Sequence, residues 1–467
     1  MHDFVELILN LLQKAGVLAV IAAGLCVIGI LAAYVIFRCV TKGKKKFPWG
    51  KTVLLVLLVG YVVILLYATI FRFPHGGFRD SSLHLFRGWR EAWNGFTTQL
   101  WLNVILNVAM FVPLGILLPL LTKNYRRWYL ILAEGFGTSL VIEIVQYITA
   151  RGLFDVDDLF NNTLGAMIGY GLLMVCLTLF GKEKKSFSRI LAYAAIPVAF
   201  AVAMIGIFAG YHFKEYGNFR DAASFTANTS GVTWERGYTP EQIDTTVTVY
   251  RTETLTKKTC DAFGAEFAEK LGITFPDTYY YDGLTIFANH STGDFLHVYY
   301  HDGSYEYSVG DVDSQIPYAE VDEITLRGLL EPYGLTIPES AVFTYDGDGK
   351  HTITVTEAEA GDSIISGTLT CYVREGNLLD RFDNHLLTMT KYKDVEIRTP
   401  DEAYDELCKG KFAGGDSFEY YAPEKVTVLS CVLQYMTDTK GFYRPVYMFE
   451  LTDHAKYNAI VMVDAMK

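Results

Sequence analysis

The chain has 467 residues, a formal net charge of −12 and 51% hydrophobic residues, a length that accommodates two or three domains. The charge is unevenly spread: residues 1–210 carry 19 Lys and Arg against 10 Asp and Glu, and residues 211–467 carry 21 against 42. This split excludes a single soluble globule, and the acidity of the second part excludes nucleic acid as its partner, because a phosphate backbone would meet net repulsion.

Six apolar runs come first, near residues 16–37, 52–70, 100–121, 128–148, 159–180 and 190–210. Each approaches the ~20 residues that cross a hydrocarbon core as helix. The expected architecture of residues 1–210 is therefore an all-α polytopic membrane bundle of about six spans. Lys42, Lys44, Lys45, Lys46 and Lys51 follow the first span, Lys123, Arg126 and Arg127 the third, and Lys182, Lys184, Lys185 and Arg189 the fifth. Such clusters mark cytoplasmic loops, which places the C-terminal part on the extracytoplasmic side of the cell membrane. Arg72, Arg79, Arg87 and Arg90 depart from the rule in the outer loop after the second span. The first apolar run has neither a basic leader nor a small-residue cleavage signature and reads as a retained helix.

Polar side chains inside spans are costly and face protein or water. In the fourth span Gly135, Ser139, Glu143 and Gln146 share one helical face, and in the third Asn103 and Asn107 lie one turn apart, above Pro113 and Gly115. In the stretch GLFDVDDLFNNTLGAMIGYG, Asp155, Asp158, Asn162, Gly165 and Gly169 recur at 3, 4, 3, 4 spacing and form one stripe of the fifth span. With the assumed topology Glu143 lies about 22 Å along its helix, and the three polar faces meet at one level near the outer surface. Arg72 and Arg79 would complete such a site, since Arg matches carboxylate or phosphate in bidentate fashion.

Plainer roles compete. Asp155 or Asp157 suits a helix N-cap, Asn103, Asn107 and Gln146 suit interhelical hydrogen bonds, and Gly165 and Gly169 form a small-xxx-small packing step. Glu143 is the hardest to dismiss and is the one candidate catalytic group, because a bare carboxylate in lipid requires a base, a proton or a polar pocket. His75 and His84 with Asp155, Asp157 and Asp158 match no metal-ligand spacing, and no GxSxG, HExxH, phosphate-loop or dinucleotide fingerprint occurs, so neither metal nor cofactor is expected.

These same segments resemble the VanZ-like membrane proteins, a family named for an accessory teicoplanin-resistance protein of Gram-positive bacteria. The resemblance covers about residues 66–179 and rests on LLYATIFR, NVILNVAMFVPLGILLPLL, SLVIEIVQY and FDVDDLFNNTLGAMIGY. Asn107, Pro113, Gly115, Glu143, Gln146, Asp155, Asp158, Asn162, Gly165 and Gly169 fall where that family has recurring polar and small residues. SSLHLF, residues 81–86, replaces the family's Asn-Leu-Ile-Pro-Phe-like loop. The resemblance implies a cell-envelope setting and glycopeptide tolerance, and it supplies no reaction.

From residue 211 the chain alternates in short runs. TTVTVYRTETL, LTIFANH, FLHVYYHDGSYEYSVG, HTITVTEA, SGTLTCYVRE and KVTVLSCVLQYMTD read as strands. CDAFGAEFAEKLGI, AEVDEITLRGLLEPYGL and TPDEAYDELCKG read as amphipathic helices. The expectation is two extracytoplasmic α+β units, 211–345 and 346–467. DEAYDELCKGKF and GFYRPVYMFEL bear a mild likeness to extracytoplasmic regulatory domains of bacterial signalling, which implies a protein partner for this part. Cys260, Cys371, Cys408 and Cys431 are spaced too widely for a zinc motif or a dense disulfide framework, leaving one bridge or none at least as expected as two. Tyr299, Tyr300, Tyr305 and Tyr307 suit a packed sheet face better than a carbohydrate platform.

Three functions follow. The first is an envelope protein binding a membrane lipid or wall-precursor-like amphiphile, with Arg72 and Arg79 on its headgroup. The second is a membrane enzyme acting on a lipid-linked phosphate, with Glu143 as general base. The third is a structural or sensory membrane protein.

Overall fold

The computed structural model describes residues 24, 27–32, 34–42, 47–71, 81–181, 186–220, 227–281, 283–361, 363–414, 423–453 and 458–467. The chain forms two compact units, Met1–Ala92 with Thr98–Phe213, and Trp93–Thr97 with Lys214–Lys467.

In the first unit, helices α1 (Trp49–Leu66), α2 (Arg87–Gly95), α3 (Thr98–Leu121), α4 (Trp128–Thr149), α5 (Val156–Phe180) and α6 (Phe187–Phe213) follow one another, with the two-residue strands β1 (Ser81–Ser82) and β2 (Phe154–Asp155) before α2 and α5. Five helices, Trp49–Ile70, Thr98–Leu121, Trp128–Thr149, Val156–Phe180 and Phe187–Phe213, are long and apolar enough to cross a membrane. Half of the expected first span, 16–37, falls outside the described residues. The short α2 is a helix that apolar periodicity alone did not reveal, because RGWREAWNG has too few aliphatic residues to register as an apolar run.

The bundle core gathers Leu65, Phe111, Leu114, Ile131, Ile142, Ala166, Met167 and Tyr170. α5 is its most buried helix and packs on α3 through glycine. A Cβ on Gly165 would run into the Val108 carbonyl, one on Gly169 into the Val112 carbonyl, and one on Gly115 of α3 would lie 2.7 Å from the Tyr170 nitrogen. Small residues on both helices thus admit backbone against backbone. α3 continues through Pro113 and Pro119. α6 buries none of its residues and meets α5 at Gly171, where a Cβ would stand 2.9 Å from Pro197 Cγ.

The second unit is built on one mixed sheet of 13 strands. They are β3 (Thr233–Arg236), β4 (Thr246–Arg251), β5 (Asp277–Tyr280), β6 (Leu284–Asn289), β7 (Asp294–Tyr299), β8 (Tyr305–Ser308), β9 (Val342–Gly347), β10 (Lys350–Ala360), β11 (Ser363–Arg374), β12 (Leu378–Glu396), β13 (Lys425–Thr437), β14 (Phe442–Thr452) and β15 (Asn458–Asp464). All neighbours pair antiparallel except β3 with β13. Helices α7 (Lys257–Leu271), α8 (Glu323–Leu330) and α9 (Pro400–Cys408) start at Thr256, Asp322 and Thr399, each of whose side chains accepts a backbone N–H of its helix.

Two large cores lie within this unit, beside a smaller cluster of Phe219, Ala413, Val446 and Met462. One joins Phe267 of α7 and Leu326 of α8 to Leu296, Tyr307, Ile353, Leu369 and Phe382; the other joins Leu407 of α9 to Val426, Tyr447, Phe449 and Val461. β12 runs from one to the other, pairing with β8 at 381–384 and with β4 at 390–396. The expected division at 345/346 falls inside β9, whereas the change of core comes along β12. Tyr305 and Tyr307 are buried in the first core. Cys260, Cys371, Cys408 and Cys431 are unbridged thiols, and burial pushes the Cys260 and Cys371 thiols up to about 11 and about 12.

Candidate polar site in the helical bundle

The last turns of α4 and the first turns of α5 lie side by side, and the loop between them folds back through β2. On α4, Gly135, Ser139, Glu143 and Gln146 are all buried. Their spacing puts them on one face, and α5 approaches that face closely at Gly135, where a Cβ would stand 2.9 Å from that of Ala166.

Glu143, only 1% exposed, accepts a hydrogen bond from the Asp155 backbone N–H at 2.9 Å. This bond ties the end of α4 to the residue that begins α5. Asp155 in turn caps α5, its Oδ1 accepting from Asp157 N at 2.8 Å. From α5, Asn162 Nδ2 donates to Ser139 Oγ at 2.9 Å, and Ser139 Oγ donates to the Asp158 carbonyl at 3.3 Å. Asn107 of α3 donates through Nδ2 to Asp158 Oδ1. Glu143 also lies within electrostatic reach of Asp158 and Asp155. Five residues from three helices, Asn107, Ser139, Glu143, Asp158 and Asn162, thus share one polar neighbourhood.

Gln146 joins at the edge. α1 widens into a π-helical turn at Tyr67–Phe71, and Gln146 Nε2 donates to the Thr69 carbonyl there at 2.9 Å. A π turn leaves a carbonyl poorly placed for its own helix, which the amide satisfies. Asn103 stands apart: it is exposed and accepts from Gln99 Nε2 at 3.2 Å. Arg72 and Arg79 lie outside the described residues, as does His75. Gly165 and Gly169 face α3 inside the bundle.

A second polar row on α5 was not singled out from the sequence. Asp157 and Asn161, 3% and 2% exposed, hold α2: Asp157 accepts from the backbone N–H of Phe86 and, at 2.7 Å, of Gly88, and Asn161 Oδ1 accepts from Trp89 Nε1 at 3.0 Å. Their i, i+4 spacing was the available signal. Ser81 and Ser82 pair in parallel with Phe154 and Asp155, so the SSLHLF segment lies against the start of α5. Leu83, Leu85 and Phe86 in that segment are exposed.

Chemically the neighbourhood is rich in acceptors. Among the described residues neither Glu143 nor Asp158 has a basic partner. Ser82 Oγ, Gln146 Oε1 and Asn162 Oδ1 are buried without a hydrogen-bond partner. Ser139 Oγ bonds to two neutral groups, the Asn162 amide and the Asp158 carbonyl, and among the described residues makes no hydrogen bond to a base.

Comparison with known proteins places these helices. The VanZ/LLP1 family model matches residues 53–180. Protein VanZ of Enterococcus faecium is 31% identical over 134 residues, which cover 26% of this chain and 76% of that protein. A crystal structure of an uncharacterised protein from Eubacterium rectale ATCC 33656 superposes with a TM-score of 0.27 at 11% identity, over 50% of this chain and 88% of that one, and establishes no shared fold. The helices that carry Asn107, Glu143, Asp158 and Asn162 all fall within the matched region, and the chain belongs to the VanZ family of multi-pass membrane proteins.

Proposed function

We propose that this chain binds a lipid or wall-related amphiphile of the bacterial envelope at the polar neighbourhood of α3, α4 and α5, and thereby contributes to glycopeptide tolerance. The observation that carries this reading is the pairing of buried Glu143, without a basic partner among the described residues, with a neighbouring loop that exposes Leu83, Leu85 and Phe86. A buried polar cluster beside an exposed apolar loop has the two chemistries of a headgroup joined to acyl chains. Arg72 and Arg79 would contact the anionic part of that headgroup.

Glu143→Gln at unchanged protein abundance is expected to abolish the protein's contribution to teicoplanin tolerance. An unchanged susceptibility would leave only the structural or sensory reading. In the orientation we infer, residues 214–467 are extracytoplasmic, where their acidic surface meets a protein partner. Alkaline phosphatase fused after Lys467 is then active, and an inactive, abundant fusion would reverse the topology.

A further inference from the structure

The polar neighbourhood has more acceptors than donors. Glu143 receives one hydrogen bond, from Asp155 N, and Asp158 one to its side chain, from Asn107. An ionised carboxylate has room for about four. Asn162, 97% buried by its 3% exposure, spends its amide nitrogen on Ser139, one turn from Glu143, and leaves Oδ1 unpartnered in the same α4–α5 interface. Gln146 does the same one turn further along, its nitrogen on Thr69 and its Oε1 unpartnered. Buried acceptors without donors are costly, and two carboxylates near each other without a cation are more so. What is missing is a group that brings positive charge and several N–H donors at once.

We propose that the neighbourhood receives a primary ammonium group, held between Glu143 and Asp158 and hydrogen-bonded to the amide oxygen of Asn162. The inference rests on the amphiphile reading above and narrows its ligand to an amine-bearing headgroup. A primary ammonium presents three donors and no acceptor, the complement of this oxygen set. A guanidinium would add donors in a flat fork that suits one carboxylate, whereas Glu143 and Asp158 come from different helices. A metal ion is less suited, since among the described residues no three His, Cys, Asp or Glu side chains gather in a metal-binding group.

The test uses the full chain purified in dodecyl maltoside and native mass spectrometry. Its probes are dihexanoyl phosphatidylethanolamine, its N-acetyl derivative, dihexanoyl phosphatidylglycerol and free O-phosphoethanolamine. Phosphatidylethanolamine should bind at least about tenfold more tightly than the N-acetyl derivative or phosphatidylglycerol, and Glu143→Gln should remove about tenfold of that affinity while leaving phosphatidylglycerol unchanged. Asp158→Asn, on a different helix, makes the same test should Glu143→Gln fail to fold. Free O-phosphoethanolamine binding as tightly as the lipid would uphold the ammonium site and make its source soluble. Equal, Glu143-dependent binding of phosphatidylglycerol and phosphatidylethanolamine would overturn the ammonium proposal and leave the amphiphile reading standing. No Glu143-dependent binding of any probe would overturn both.

Discussion

Asp302 sits in the turn between β7 and β8, where Gly303 takes a left-handed backbone (φ 74°) and Ser304 is buried. Burial opposes its ionisation, but the His301 imidazole, at 3.0 Å, and the Ser304 hydroxyl and N–H, at 2.7 and 2.9 Å, outweigh it and hold the carboxyl below the usual carboxylate range. A carboxyl depressed in the folded state contributes stability that is fully present above its unfolded value of about 4 and lost as the pH falls through the folded value. The urea midpoint should therefore begin to drop only as the pH falls toward about 4 and keep dropping below it, and Asp302→Asn should flatten that part of the profile; parallel profiles would refute the role. Residues of this kind were only partly legible. Asp302 is one of 42 acidic residues in 211–467, and nothing in the run HDGSY distinguishes an anion bound on two sides from an ordinary turn. The burial of Glu143 is legible, because a carboxylate between Ile142 and Ile144 needs a polar partner inside the bundle, whereas the position of Asp157 suits a cap or one member of an acidic group and gives no local sign of its partner. Its carboxylate instead holds the start of α2, a contact between positions 69 and 71 residues apart that local pattern does not encode.

Helix pairing shows the same division. The 3, 4, 3, 4 stripe on α5 was readable because helical geometry fixes which residues share a face, but which neighbour meets Gly165 and Gly169 depends on tertiary packing. That neighbour is α3, met through the Val108 and Val112 carbonyls. Gly165→Leu should consequently lower the unfolding temperature in detergent or prevent folding, since overpacking against a backbone that cannot yield costs at least about 1–3 kcal/mol. Gly137→Leu, with open space around it, should leave the unfolding temperature nearly unchanged. Equal effects would mean that α3 and α5 do not approach as described. The strands divide similarly. LTIFANH and HTITVTEA alternate cleanly and read as β6 and β10, while β12, the longest strand at 19 residues, escaped because Asp380, Arg381, Asp383, Asn384 and His385 interrupt the pattern. It pairs in turn with β11, β8 and β4, so its two faces meet different surroundings along its length.

At the scale of the molecule, composition divides the chain close to residue 211, and the compact units divide at 213/214. Composition does not set how many independent bodies the second part contains. Two large cores would favour two, yet β12 places Leu379 and Phe382 in the first and Val395 against the second, with a continuous antiparallel ladder between. A strand shared in this way couples the cores, because loss of either leaves part of its backbone unpaired. Trp234, the sole tryptophan of residues 214–467, packs against the second core and reports on it by fluorescence. Phe382→Ala in the first core should cost about 3–5 kcal/mol. If residues 214–467 fold as one cooperative body, that substitution lowers the denaturation midpoint read at Trp234 by as much as the midpoint read by far-ultraviolet circular dichroism. A Trp234 midpoint unmoved by Phe382→Ala would show that the two cores unfold independently, and would restore two units divided along β12.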